Sequence, residues 1–194
     1  TAALTAPRWP IAATSVGGRA YFAGGFVDSF YGACSLSIVD VFDAARLTPS
    51  GSQAPLSIDD YVWSPDGKRL LVFTNTQKVW RDHTRGDYWV LDLDIGRLRK
   101  VGGAAPASSL MFAKFSPDGS RAAYVRGNNL FVEDLRTGAT TALTSDGSPT
   151  IINGTSDWVY EEELGVRDGF RWSPDSQRIA YWQFDTTGVG IFTL

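Results

Sequence analysis

One eight-residue pattern, written three times, constrains this chain more than any other feature. It reads Trp63-Ser64-Pro65-Asp66-Gly67-Lys68-Arg69-Leu70, then Phe115-Ser116-Pro117-Asp118-Gly119-Ser120-Arg121-Ala122, then Trp172-Ser173-Pro174-Asp175-Ser176-Gln177-Arg178-Ile179. In each copy an aromatic closes one strand, a Ser-Pro-Asp turn follows, and a basic residue opens the next apolar strand. Proline fixes φ, the aspartate side chain accepts from the turn backbone, and Gly67 or Gly119 tolerates positive φ. The copies begin 52 and 57 residues apart. A repeat of that length with several strands per unit is the mark of β-propeller blades.

A second element recurs inside the repeat. Tyr88-Trp89-Val90-Leu91-Asp92-Leu93 and Leu130-Phe131-Val132-Glu133-Asp134-Leu135 are strands ending in polar turns, with Asp92 and Asp134 at equivalent places. Measured against these anchors, the first repeat carries about ten extra residues between Thr74 and Tyr88, and the second connection carries about fifteen between Thr144 and Phe170. Segments added to a repeat project from its sheets, where they are free to bind something, although an outward loop is also tolerated with no role at all.

Composition agrees with an all-β chain and removes several functions. Gly 20, Pro 9, Phe 11, Trp 7 and Tyr 7 favour short strands and tight turns, and 43% apolar against 20% charged residues supports a packed core. The formal charge of −3 leaves no basic footprint for nucleic acid. One cysteine, Cys34, cannot form an internal disulfide, and with His83 as the one histidine there is no Cys/His set for zinc. No G-x-S-x-G serine elbow is present, and no apolar run reaches the length of a membrane helix. The start, Thr1 to Pro10, lacks the basic and apolar pattern of a signal peptide. The expectation is a chain without metal or cofactor, with no nucleic-acid or membrane partner and no catalytic residues of its own.

The later insertion reads Ile152-Asn153-Gly154-Thr155-Ser156-Asp157-Trp158-Val159-Tyr160-Glu161-Glu162-Glu163-Leu164. Its aromatics are expected to pin it against the body, and at most two of three consecutive carboxylates can converge. Converging carboxylates repel unless a cation intervenes, and an ammonium group is the natural resident. A short helical turn with a solvated acidic face is the alternative. A calcium loop is not indicated, because its alternating ligands are missing. Asn153-Gly154-Thr155 matches the glycosylation acceptor pattern.

The earlier insertion, Lys78-Val79-Trp80-Arg81-Asp82-His83-Thr84-Arg85-Gly86-Asp87-Tyr88, brings two guanidinium forks able to grip a carbonyl or carboxylate. The alternative is a polar hairpin tip whose Arg and Asp residues pair with one another. His83 reads as a loop residue, and Arg85-Gly86-Asp87 as a turn.

These residues resemble the dipeptidyl peptidase IV family. The stretch from Asp157 to Leu164, followed by Arg171-Trp172-Ser173-Pro174 and Ala180-Tyr181-Trp182-Gln183-Phe184-Asp185, is similar to that family's glutamate-motif region. Lys78-Val79-Trp80-Arg81 leading into Gly86-Asp87-Tyr88-Trp89-Val90-Leu91-Asp92-Leu93 resembles its arginine-bearing segment, and the agreement runs from about Ile58 to Leu194. The resemblance implies a serine exopeptidase with an eight-bladed N-terminal propeller and a C-terminal α/β-hydrolase domain, releasing dipeptides after proline or alanine. It implies that Glu162 and Glu163 bind the peptide's free α-amino group, with Glu161 a neighbour, and that Arg81 holds the carbonyl of the first residue. It also implies export to the periplasm or outside the cell.

The expected architecture is a partial propeller, residues 56–194, of about three to four blades of four-stranded antiparallel sheet with a short helical acidic insertion. Residues 1–55 are expected to form a divergent first blade or separate segment, since Gly17-Gly18-Arg19-Ala20-Tyr21-Phe22-Ala23-Gly24-Gly25 and Ile38-Val39-Asp40-Val41-Phe42-Asp43 look somewhat kelch-like. Glycine at 190 through Leu194 reads as the interior of a strand, so the chain is expected to be a fragment. Expected partners are a peptide N-terminus, the parent's hydrolase domain, and a second copy through uncovered strand edges. The competing reading is a non-catalytic, kelch-like propeller serving as an interaction scaffold.

Overall fold

The computed structural model describes residues 43–190 and, ahead of them, the backbone of the strands between residues 12 and 43. The strand expected at the C-terminus and the glycine pairs of the kelch-like stretch lie outside the described residues. The N-terminal strands are β1 (Ala12–Val16), β2 (Arg19–Ala23), β3 (Phe26–Val27), β4 (Cys34–Ser35) and β5 (Val39–Asp43). β1, β2 and β5 make an antiparallel three-stranded sheet in that order, and β3 pairs with β4. A 3₁₀ turn, Ala44–Leu47, follows; the Asp43 carboxylate caps it by accepting from the Ala45 amide at 2.9 Å.

The chain divides into two compact units, residues 1–77 with 86–108, and residues 78–85 with 109–194. The first unit is built on β6 (Asp60–Trp63), β7 (Arg69–Val79), β8 (Asp82–Asp92) and β9 (Arg97–Lys100), hydrogen-bonded in sequence order. Leu47, Leu70, Val72 and Leu91 form its core, with Leu56, Ile58, Tyr61, Trp63, Trp89, Leu93 and Leu98 packed around them.

The ten-residue surplus of the first repeat lengthens β7 and β8 into one long hairpin instead of adding a loop. Arg85-Gly86-Asp87 is therefore strand, not the turn expected from its composition. Gly86 is required there because a Cβ would lie 2.5 Å from Cε2 of Phe73 and 2.7 Å from the Thr74 carbonyl oxygen. Asp87 is buried, accepting from Asn75 Nδ2 at 2.8 Å and the Ser108 amide at 2.9 Å, with Lys100 Nζ at 3.0 Å. His83 likewise sits in β8, exposed, and not in a loop.

The second unit contains β10 (Leu110–Phe115), β11 (Arg121–Arg126), β12 (Asn129–Asp134) and β13 (Thr140–Ala142) as an antiparallel meander. After it come β14 (Ile151–Asn153), helix α1 (Trp158–Leu164), β15 (Phe170–Trp172), β16 (Ile179–Tyr181) and β17 (Gln183–Asp185), with β14 paired to β17 and β15 to β16. Ala123, Val125, Leu130 and Phe170 are its buried core. Two runs of four antiparallel strands in sequence order, β6 to β9 and β10 to β13, followed by the β15–β16 hairpin, are the strand pattern of β-propeller blades.

The three turns fold alike because the same atoms do the same work. Trp63 pairs with Leu70, Phe115 with Ala122 and Trp172 with Ile179, one register written three times. In each, the serine hydroxyl donates to the aspartate carboxylate, at 2.6, 2.6 and 2.5 Å. It also accepts from the amide of Arg69, Arg121 or Arg178, at 2.8, 3.0 and 2.9 Å. Gly67 and Gly119 take φ of 69° and 70°, and Ser176 takes 61° in the third copy, a conformation glycine adopts more cheaply. Ser176 is buried, and its Oγ accepts from the Asp118 amide at 3.0 Å, a bond glycine could not make. Asp92 and Asp134 also match: each carboxylate accepts from the two backbone amides that follow in its turn.

Candidate functional site

The two insertions meet within the second unit. The β7–β8 hairpin reverses at Trp80 and Arg81, where Trp80 has φ of 56°. Such a two-residue reversal usually places glycine at its first position, so a tryptophan there is strained. The later insertion forms α1, capped by the Asp157 carboxylate accepting from the Tyr160 amide at 3.0 Å. It ends at Gly165, whose φ of 64° stops the helix while its N–H still bonds to the Glu161 carbonyl.

Arg81 and Glu162 are brought together: Nε of Arg81 lies 2.5 Å from Oε2 of Glu162. The Glu162 side chain is only 7% exposed, whereas that of Arg81 is 79% exposed, so most of the arginine side chain stays open to solvent. Glu163, one residue on, is exposed. Glu161 is buried and its Oε1 faces Nε of Arg167 at 3.5 Å, an ion pair outside hydrogen-bond geometry. Arg167 also forms a salt bridge through Nη2 to Asp82. Burial raises the Glu161 carboxyl above the usual range; Arg167 opposes that rise, while Asp82 and Glu162 add to it.

Two charges of the hairpin tip are therefore paired outside it. Arg81 and Asp82 reach to opposite charges at or just beyond α1, one to Glu162 and one to Arg167. The family resemblance singled out Arg81 and Glu162, whereas nothing in the sequence singled out Asp82 and Arg167, because ion pairs between distant insertions leave no local spacing to read. The aromatics also behave differently from expectation. Trp158 and Leu164 are 50% and 65% exposed, and the ring contact of this helix is made by Tyr160, 4.7 Å from that of Phe184.

Behind the helix, Asp168 is anchored by Lys114. The Lys114 ammonium bonds both Asp168 carboxylate oxygens and the Phe170 carbonyl at 2.9 Å, and lies 3.8 Å from the centre of the Phe170 ring. A bulge in β10 between Met111 and Lys114, with Phe112 at φ 54°, redirects the lysine. Burial lowers the Lys114 pKa to about 8 against the pull of Asp168.

The glycosylation pattern is closed by the fold. Asn153 is fully buried, its Nδ2 donating to the Asn128 carbonyl at 3.0 Å and Asp146 Oδ1 at 2.9 Å, while its Oδ1 accepts from Gln183 Nε2 at 2.8 Å. Among the described residues no group of three or more His, Cys, Asp or Glu side chains is placed to hold a metal ion, and no helix is long and apolar enough to cross a membrane.

The family described as Dipeptidyl peptidase IV (DPP IV) N-terminal region matches residues 64–194, which include both insertions and all three turns. The dipeptidyl peptidase 4 of Trichophyton tonsurans is 36% identical over 146 residues, 75% of this chain and 18% of the relative. A probable dipeptidyl-aminopeptidase B of Neosartorya fischeri is 36% identical over 133 residues, 68% of this chain and 14% of the relative. The crystal structure of Porphyromonas gingivalis dipeptidyl peptidase 4 superposes with a TM-score of 0.67 at 26% identity, covering 87% of this chain and 24% of that one. The chain thus spans less than a fifth of the length of these fungal relatives. With a family match over most of its length and the repeat, hairpin and glutamate helix in place, the chain belongs to the dipeptidyl peptidase IV N-terminal region family.

Proposed function

We propose that this propeller portion recognises the free N-terminus of a peptide for a dipeptidyl peptidase IV-like serine exopeptidase releasing Xaa-Pro or Xaa-Ala dipeptides. The observation that carries the reading is the Arg81–Glu162 ion pair, formed by two insertions that the blades themselves do not need. In this reading Glu162 and the exposed Glu163 hold the peptide's ammonium group in charge-assisted hydrogen bonds. Arg81 offsets the repulsion between them, and its outer guanidinium donors take the carbonyl of the first residue. Fixing the amine fixes how far along the peptide the scissile bond lies, so binding energy is spent on register. Bond cleavage is assigned to a C-terminal α/β-hydrolase domain of the full-length protein, acting outside the cytoplasm, periplasmic or secreted.

The test is to incubate the full-length protein with peptides beginning Xaa-Pro and Xaa-Ala and weigh the products. Dipeptides are expected, and Glu162→Gln or Glu163→Gln should raise KM at least tenfold, equivalent to about 1.4 kcal/mol of lost binding. Single amino acids or internal fragments as products, or unchanged kinetics in both variants, refutes the reading.

A further inference from the structure

The recognition arm needs more than the residues that would touch a peptide. Arg81 stands at the tip of a hairpin whose reversal is strained at Trp80, and its side chain is largely exposed. An exposed arginine held by one ion pair samples many rotamers, and a peptide must then offset the cost of ordering it. The neighbouring charges limit that freedom. Asp82, the next residue, is bound by Arg167, and Arg167 also faces the buried Glu161, the residue immediately before Glu162. Arg167 is itself fixed from the other side: Asp168 is clamped by Lys114, and its backbone forms an isolated bridge with Thr155.

We propose that Arg167 is a positioning residue that locks the hairpin tip to the glutamate helix, presetting the Arg81–Glu162 pair for an incoming peptide amine. This rests on the reading of the site given above. One guanidinium reaches the residue after Arg81 and the residue before Glu162, so it sets the spacing of the two groups without touching the ligand. Its planar fork suits that bridging better than an ammonium. Preorganisation of this kind lowers the cost of binding and leaves the chemical step alone.

The experiment is steady-state cleavage of an alanyl-prolyl anilide by the full-length protein. Arg167→Ala should raise KM about tenfold while kcat stays within about twofold, and Arg167→Lys should recover only part of the loss. The decisive comparison is Arg167→Ala in an Arg81→Ala background. If Arg167 acts through Arg81, the second substitution adds less than about twofold to KM, whereas a purely structural role gives the same factor in both backgrounds. Equal factors, or an unchanged KM in Arg167→Ala alone, overturns the proposal while leaving the underlying reading intact. Unchanged KM in Arg81→Ala and Glu162→Gln, or no cleavage by the wild type, overturns the reading and the proposal together. Should Arg167→Ala lose its melting transition, Asp82→Asn breaks the same bridge while leaving Glu161 its counter-charge, and the same cycle is read with that variant.

Discussion

Arg81 and Glu162 form a 2.5 Å ion pair although each belongs to a separate insertion in the repeat pattern. One insertion lengthens a hairpin and the other makes a seven-residue helix. Neither is required by the strands of a blade, yet their charges are satisfied by each other. That mutual dependence supports the proposed recognition arm over two tolerated loops.

Arginine at 81 should be irreplaceable by lysine. A guanidinium can bind a carboxylate and still present donors to a carbonyl, whereas an ammonium is a point charge with a shorter reach. In the full-length protein Arg81→Lys should raise KM for dipeptidyl substrates by roughly tenfold, close to the effect of Arg81→Ala. Wild-type KM in the lysine variant would show that charge alone suffices.

The turn at Ser176 offers a test of fold logic. Its positive φ disfavours any side chain, but its hydroxyl accepts the Asp118 amide and so links two repeats. Ser176→Ala keeps the strain and loses the bond, and should destabilise by about 1–2 kcal/mol; Ser176→Gly relieves the strain and should cost less. The ranking is checked by urea midpoints, and an alanine variant more stable than the glycine one would contradict it.

Lys114 and Asp168 should behave as a partly buried pair. Lys114→Met leaves Asp168 without its ammonium partner and should cost about 2–4 kcal/mol, while Lys114→Met combined with Asp168→Leu should recover a large part of that loss. Thermal unfolding of the three proteins measures it, and additive losses would mean the two side chains are not coupled.

Asp60 sets a pH dependence whose sign is fixed. Burial raises its carboxyl to about 6, with Asp59 adding to the rise and the Tyr61 amide opposing it. The folded chain therefore holds that proton more tightly than the unfolded chain, whose aspartate titrates near 4. Stability from this group is greatest at low pH, falls as pH rises from about 4 to about 6, and is flat above, by no more than about 3 kcal/mol in all. Asp60→Asn should remove that slope and be the more stable protein at pH 7 relative to wild type. An identical slope in both proteins would exclude Asp60 as its source.

The turns and the blade repeat were legible in the sequence for a local reason, whereas Arg81 and Glu162 were singled out only through the family resemblance. Ser64, Asp66 and Arg69 interact within a few residues, and so do their counterparts, so their spacing carries the geometry. Arg85-Gly86-Asp87 was misread because turn composition and a glycine packed beneath Phe73 look the same until the partner strand is known. The exposure of Trp158 was not legible, because apolar type does not say which face of a short helix meets a neighbour. Arg167 and Asp82 were invisible, since nothing in either segment alone marks their pairing across more than eighty positions of chain.

The most direct measurement compares an alanyl-prolyl anilide carrying a free amine with its N-acetylated form, using the full-length protein and Glu162→Gln. The account expects wild type to cleave the free-amine substrate at least a hundredfold more efficiently, about 2.7 kcal/mol of discrimination, and expects most of that preference to vanish in Glu162→Gln. Equal kcat/KM for the two substrates in the wild type, or an undiminished preference in Glu162→Gln, would contradict it.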